Sequence, residues 1–387
     1  MQYRENPKNG DKLSILGFGA MRLNADEQTQ QKLISYAVEN GINYFDTAYI
    51  YPGNEAALGR ALAKGYRSRV KIATKMPHYL IKKYADLDKI FNTQLQRLQT
   101  DYVDYYLIHT LNDAYIWQRL VELGLLEWIE ENKKQGRILN IGFSYHGGRE
   151  EFINVLDAYD WEFCLIQYNY LDEQRQAGRS GLEYAAAKGV PVMVMEPLRG
   201  GLLVDKLPKQ ARSVWDNAAP RRSPAEWGLR FVWNHPGVSL LLSGMNSLQM
   251  LKENIAVANE VRIASLSQRE LELFDKVKQV LNSNNTIPCT GCNYCLPCPR
   301  GVDIPTCFSC YNDRELVGII SARQGYIMQT TMKKRSFNAS QCVQCGKCEE
   351  RCPQNISIRK ELARVIKALE GFYYRPISFI MKKFMKL

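Results

Sequence analysis

Between residues 13 and 245 two kinds of hydrophobic pattern take turns along the chain. Short runs that are apolar nearly throughout occupy residues 15–21, 43–49, 70–75, 103–109, 138–144, 163–169, 190–196 and 240–245. Runs of this kind suit parallel strands covered on both faces. Between them, segments such as 30–40, 87–98, 125–135, 150–159 and 225–234 repeat their apolar residues at helical spacing. Gly41, Gly136 and Gly189 close several of these segments, as helix C-termini favour. Eight strand–helix units within the first 285 residues predict an α/β fold of the (β/α)₈ TIM-barrel type. The competing doubly wound sheet calls for a Gly-x-Gly-x-x-Gly turn after its first strand. Gly17–Phe18–Gly19–Ala20–Met21–Arg22 does not complete one.

Chemistry in such a barrel gathers where the strands end, at the C-terminal face. The second run reaches Asp46, with Tyr51 close behind in FDTAYIYPGNEAALGRAL; the third ends at Lys75 in KIATKMP, and the fourth at His109 in VDYYLIHTLN. Singly, each has an ordinary explanation: Tyr51 is one of 22 tyrosines, Lys75 a solvated strand end, His109 a loop cap. At three successive strand ends they form a coherent set. A tyrosine hydroxyl has a pKa near 10, and an ammonium beside it is expected to lower it by favouring the phenolate. A carboxylate would hold the lysine, and the histidine would orient a carbonyl. Such a tyrosine gives its proton to a carbonyl oxygen as hydride arrives at carbon.

On these residues the chain resembles the aldo-keto reductase superfamily across residues 10–262. Asp46, Tyr51, Lys75 and His109 match its catalytic tetrad in order and context, and DTAxxYxxxE followed by LGRAL is a specific match. SPAEWGLRFVWNHPGVSLLLSGMNSLQMLKEN is similar to the family's last barrel unit and cofactor-binding segment. The resemblance implies reduction of aldehydes or ketones with a nicotinamide cofactor. It places cofactor contacts at Gly19, Met21, Ser144, Gln167, Met195, Gly244, Glu253 and Asn254. Ser144 and Gln167 agree with the residues that hold the carboxamide. The usual Ser-Asn pair reads Ser144–Tyr145, Met195 replaces the tyrosine on which the nicotinamide stacks, and Gly244 and Met250 replace the cations that meet the NADPH 2′-phosphate. With such cations gone, NADH, NADPH and flavin all stay open as hydride donors.

Cysteine and charge change the picture beyond residue 285. Ten of the eleven cysteines lie past Ser283, leaving Cys164 alone in the sixth apolar run. Residues 286–387 hold 16 Lys and Arg against 7 Asp and Glu, whereas the first 285 hold 35 against 33. Cys289, Cys292, Cys295 and Cys298 are spaced by two residues each in CTGCNYCLPCP; Cys342, Cys345, Cys348 and Cys352 follow in CVQCGKCEERCP. The second run matches the C-x₂-C-x₂-C-x₃-C-P ligand pattern of bacterial [4Fe–4S] ferredoxins. A zinc ribbon needs two C-x₂-C knuckles and leaves the third and fourth cysteines without a use. Disulfides are disfavoured in a chain without an export signal. Eight cysteines thus imply two [4Fe–4S] clusters. By the ferredoxin precedent, Cys289, Cys292 and Cys295 share a cluster with Cys352, and Cys342, Cys345 and Cys348 share one with Cys298. The long spacer, helix-compatible over 308–324, resembles the α-helical ferredoxin modules of larger oxidoreductases. Cys307 and Cys310 have no partner pair and read as buried helical residues, and Cys164 reads as core.

Composition, 24% charged and 45% hydrophobic over 387 residues, excludes disorder. No run approaches the ~18 apolar residues of a membrane span. The start MQYRENPKNG lacks an apolar signal region, so a cytoplasmic location is expected. Three segments follow: a reductase barrel over 1–285, a ferredoxin-type domain over 286–371, and a basic tail over 372–387. The whole resembles a subgroup of aldo-keto reductases with a C-terminal ferredoxin-type domain, found largely in anaerobes; FSYHG and MEPLRGG travel with it. A hydride carries two electrons and a cluster passes one. The barrel is therefore expected to act on a small-molecule carbonyl at Tyr51 while the clusters relay single electrons. A docking or electron-transfer module whose barrel only holds a ligand is the alternative. Acidic ferredoxin or flavodoxin partners suit the basic segment; no nucleic-acid-binding motif is present.

Overall fold

The computed structural model describes residues 1–23, 26–283, 287–289, 291, 294–352 and 354–385, the Leu316 side chain apart. The predicted runs become eight parallel strands of a closed barrel. They are β3 (Leu16–Gly19), β4 (Tyr44–Asp46), β5 (Lys71–Met76), β6 (Val103–Ile108), β7 (Ile138–Tyr145), β8 (Phe163–Gln167), β9 (Val192–Met195) and β10 (Val238–Ser243). β10 closes the ring onto β3, pairing Leu241 with Leu16. A hairpin the pattern did not predict precedes them: β1 (Tyr3–Glu5) pairs antiparallel with β2 (Lys12–Ser14). Its Leu13 joins the cluster inside the barrel and so plugs the N-terminal end.

Two apolar layers follow from the period of two along each strand. Outward residues such as Phe45, Ile72, Tyr106 and Ile166 meet the surrounding helices in one large core. Inward residues Tyr44, Ala73, Tyr105, Leu107, Phe163, Leu165, Met193, Leu240 and Leu242 fill the lumen. The lumen is thus a packed core, as in this architecture generally. Phe163 crosses it so closely that a Cβ on Gly142 would lie 2.6 Å from its ring, which accounts for a glycine in mid-strand.

Beyond residue 286 a separate apolar cluster gathers Phe308, Tyr326, Ile358, Leu362, Val365 and Leu369. It is built by helices Ile304–Asn312, Arg314–Thr330 and Ile358–Leu369. The single helix expected over 308–324 is instead two, and Gly318 at φ 77° breaks the second near its start. The basic tail forms helix Tyr374–Met385, whose Phe384 ring lies 5.5 Å from Tyr79 of the barrel, while Phe379 and Ile380 stay exposed. No helix among the described residues is long and apolar enough to cross a membrane.

Candidate active site and cluster-binding segment

Strand alternation brings the candidate residues together. Two positions beyond the inward Tyr44, Ala73, Leu107, Leu165, Met193 and Leu242 stand Asp46, Lys75, His109, Gln167, Met195 and Gly244. Gly19 and Ser144 follow Gly17 and Gly142 in the same way. The polar site is therefore the lumen's uppermost layer, resting on its hydrophobic plug.

Within it Lys75 Nζ donates to Asp46 Oδ1 at 2.5 Å and to the Thr47 carbonyl at 2.7 Å. The same Nζ lies 5.2 Å from the Tyr51 ring centroid, and the His109 ring meets Tyr51 edge-on at 6.2 Å. Asp46, Lys75 and His109 are all buried. Asp46 Oδ2, Thr47 Oγ1 and His109 Nδ1 find no hydrogen-bond partner among the described residues. Unsatisfied buried groups are costly, so several at one mouth mark a place where a ligand completes the bonding. Helix Asn54–Leu62, which follows Tyr51, is pinned to the barrel by Glu55. Its Oε1 accepts from Thr74 Oγ1 at 2.7 Å and from Gln94 Nε2 at 2.8 Å.

The electrostatics correct one expectation. Burial raises the Tyr51 hydroxyl above its ordinary pKa; the Lys75 ammonium pulls the other way without overcoming it, and Asp46 adds to the rise. Tyr51 is a protonated, weak acid at neutral pH, as a proton donor needs to be. Burial opposes the charge on Lys75, yet Asp46 and Tyr51 carry its pKa above the usual lysine value. Burial, with Lys75 nearby, drives His109 well below its ordinary pKa, so the imidazole is neutral.

The cofactor candidates divide into two groups. At the ends of β3 and β10, Gly19, Gly244 and Asn254 are adjacent: a Cβ on Gly19 would lie 3.4 Å from the Ser243 carbonyl, and Asn254 Nδ2 donates to Ser243 Oγ at 3.1 Å. Met21 and Met250 are exposed, and Glu253 accepts from Gln249 at 2.6 Å on the surface. The sequence reading missed Arg22. It donates to the Gly200 carbonyl at 2.7 Å and passes 3.8 Å from a Cβ on Gly244, offering a cation beside that cleft. At the ring end, Ser144 Oγ accepts from the Thr110 amide at 2.8 Å. Gln167 donates to Asp172 at 2.8 Å and accepts from Gln176. Both ends of the Gln167 amide are engaged within the protein, and Met195 supplies no aromatic face. These residues do not fit a nicotinamide held in the family's usual way.

The second apolar unit sits over this mouth. Arg175, beyond β8, clamps Asp313 through both guanidinium nitrogens at 2.8 and 3.1 Å, and Arg199, beyond β9, reaches the same carboxylate at 3.2 Å. Asp172 faces both arginines, at 3.2 and 2.9 Å. The partners lie over a hundred residues apart, and no local pattern announces them.

Among the cluster candidates, Cys298, Cys342, Cys345 and Cys348 line one recess. Burial pushes the Cys348 thiol up to about 11, with Cys342 and Cys298 among the neighbours that raise it. Cys289, Cys295 and Cys352 pack against the second apolar cluster, and Cys292 falls outside the described residues. No three His, Cys, Asp or Glu side chains among the described residues stand close enough to hold a single metal ion. A four-iron cube spreads its thiolates wider, and one cysteine from the first run facing three from the second fits it. Cys307 and Cys310 are buried thiols in helix Ile304–Asn312, and Cys164 is buried in β8.

Comparison with known proteins assigns each part of the chain to a family. Residues 15–278 match the aldo/keto reductase family, and residues 288–357 match a 4Fe-4S dicluster domain. The chain belongs to the aldo/keto reductase family and is an oxidoreductase carrying an iron–sulfur domain. An uncharacterized oxidoreductase, YqkF of Bacillus subtilis, is 26% identical over 68% of this chain and 93% of its own length. The aldo-keto reductase AKR11C1 of Bacillus halodurans, in its holo form, superposes with a TM-score of 0.61 at 27% identity, covering 72% of this chain and 96% of that one. An aldo/keto reductase of Klebsiella pneumoniae, solved in complex with NADP and acetate, gives a TM-score of 0.60 at 26% identity, over 72% and 96% of the two chains.

Proposed function

We propose that the barrel reduces, or in reverse oxidises, a carbonyl-bearing small molecule, with Tyr51 giving the proton to oxygen and with electrons passed singly through the cysteine-rich segment. The observation that carries this reading is the buried Lys75–Asp46 pair beside Tyr51 and the neutral His109. Reducing a carbonyl to an alcohol takes two electrons and two protons. Tyr51 supplies one proton, and the tyrosinate left behind, steadied by Lys75, is reprotonated from solvent. Neutral His109 orients the carbonyl. Asp46 holds Lys75 in place and adds to the rise in pKa that keeps Tyr51 protonated. The second proton also comes from solvent.

Residues 286–371 would hold the clusters. Cys342, Cys345 and Cys348 with Cys298 suit one, and Cys289, Cys292 and Cys295 with Cys352 are assigned to the other. When bound, each cluster exchanges one electron at a time with a carrier. The basic surface around them suits an acidic ferredoxin or flavodoxin, and thiolate ligands suit the reducing cytoplasm.

Anaerobically reconstituted Tyr51→Phe protein, assayed with a reduced ferredoxin or dye, tests the reading. Turnover should fall by about 10²–10⁴-fold with iron content unchanged, the range for losing a general acid. Full turnover in that variant would show that the barrel only holds a ligand or docks a partner.

A further inference from the structure

Helix Tyr374–Met385 is apolar on two sides. One side builds the fold. Tyr374, Met381 and Met385 turn into the second apolar cluster, with Ser378 buried among them, at the four- and three-residue steps of one helix face. Polar contacts fix the same helix: Tyr374 and Thr331 hydroxyls lie 2.5 Å apart, and Lys382 Nζ donates to Ser336 Oγ at 2.8 Å.

The opposite side faces solvent. Phe379, Ile380 and Phe384 are 60–70% exposed, Ile377 is exposed beside them, and Phe372, just before the helix, is 97% exposed. Phe384 touches Tyr79 of the barrel and still leaves most of its surface open. Ile377, Ile380 and Phe384 form one ridge, at i, i+3 and i+7; Arg375, Phe379 and Lys383 form the next, at i, i+4 and i+8. Lys383 therefore stands inside the apolar patch, three residues beyond Ile380 and four beyond Phe379. No Asp or Glu occurs between residues 371 and 387. Lys82 and Lys83, both exposed, follow the barrel turn His78–Leu80 that carries Tyr79. Apolar side chains exposed singly are ordinary, but five large ones between residues 372 and 384 form a patch of the kind that marks an interaction site.

We propose that this face rests on an anionic lipid surface, with Phe379, Ile380 and Phe384 among the upper acyl chains and Arg375 and Lys383 at the lipid phosphates. The placement of charge selects this occupant. The centre of a protein interface is depleted in lysine, because an ammonium loses its hydration there unless an acid stands opposite. At a bilayer the same lysine is well placed: its stem runs along the apolar surface and its head reaches the phosphate layer. A second copy of the chain, meeting this face with its own, would set cations against cations with no acid in the segment to separate them. The helix stays anchored by its inner side throughout. The face is separate from Tyr51 and from the cluster cysteines, and it does not depend on the electron route proposed above.

Vesicle flotation of the full-length, cluster-loaded protein under anaerobic conditions tests this. The protein should float with vesicles of phosphatidylglycerol mixed with phosphatidylcholine, and about tenfold or more weakly with phosphatidylcholine alone, since each cation near an anionic surface contributes roughly fivefold. Arg375→Gln with Lys383→Gln should weaken binding to the anionic vesicles by about tenfold or more. Phe379→Ser with Ile380→Ser should do so by at least about tenfold through lost apolar burial. Iron content, Tm and turnover should not change in either variant, because all four side chains are exposed. Ile263→Ser, which alters an exposed apolar residue of the barrel, should bind as the wild type does. Absence of binding to the anionic vesicles, equal binding to both lipids, or binding that survives Phe379→Ser with Ile380→Ser would overturn the proposal. So would a dimer, or a complex with an acidic ferredoxin, that forms without lipid and is dispersed by those two changes.

Discussion

Replacing Asp313 by asparagine should loosen the cysteine-rich unit from the barrel mouth. Asp313 is 8% exposed and faces two guanidinium groups, so its charge is held in a largely dry setting. Burial alone would raise its carboxyl pKa; Arg175 and Arg199 instead hold it at about 2, against an ordinary 3.8. At about 1.4 kcal/mol per pH unit, that difference contributes about 2.5 kcal/mol at neutral pH. Because the folded value is depressed, the contribution is complete above the unfolded pKa and disappears only as pH falls from 3.8 toward about 2. Near neutrality it is constant, and the variant can be read there without loss of clusters to acid. Asparagine keeps an acceptor oxygen but leaves Arg175 and Arg199 sharing Asp172 alone, for an expected loss of about 2–4 kcal/mol. Two signals separate the units. All six tryptophans precede residue 285 and report the barrel, while cluster absorbance reports the rest. In urea the absorbance transition should move to lower denaturant and the tryptophan transition much less. Arg199→Gln combined with Asp313→Asn should cost less than the two changes added, since they share one network. If both Asp313→Asn transitions stay within about 0.5 kcal/mol of wild type, the clamp is ornamental.

Lys75→Met strips Asp46 of its buried partner and should cost about 3 kcal/mol in urea unfolding, with Tyr51 a weaker acid still; an unchanged midpoint would refute the buried pair. Cys298→Ser should remove the cluster assigned to Cys342, Cys345 and Cys348, and Cys352→Ser the other. EPR counting that shows the reverse would overturn the cross-ligation. The four histidines, His78, His109, His146 and His235, all have pKa values lowered chiefly by burial, His78 to about 3. The unfolded chain therefore takes up more protons below its histidine pKa of about 6.5, and stability should fall as pH drops from 7 to 5. A Tm that rises over that interval would contradict the burial of these rings.

Hydrophobic periodicity alone was enough to set out all eight barrel strands, because a parallel strand covered on both faces must be apolar along its length. The same period placed Asp46, Lys75 and His109 in one layer, since each lies two residues beyond an apolar lumen residue. The cysteine runs were legible for a different reason: cluster ligands are local in sequence, and their spacing is their signal. What depended on distance in space was not legible. The direction of the Tyr51 pKa hung on how deeply the ring is buried against how near Lys75 comes, and burial won. The ends of the Gln167 amide were already taken by Asp172 and Gln176, which no alignment of a glutamine with a glutamine reveals. Arg175 and Asp313, 138 residues apart, became partners only when the second unit settled over the barrel. Sequence patterning determined which elements form and which chemistry they carry, because those are local properties of backbone and side chain. Tertiary structure decided which charges are paired and which groups keep their protons, because burial and pairing exist only between surfaces brought together by the fold.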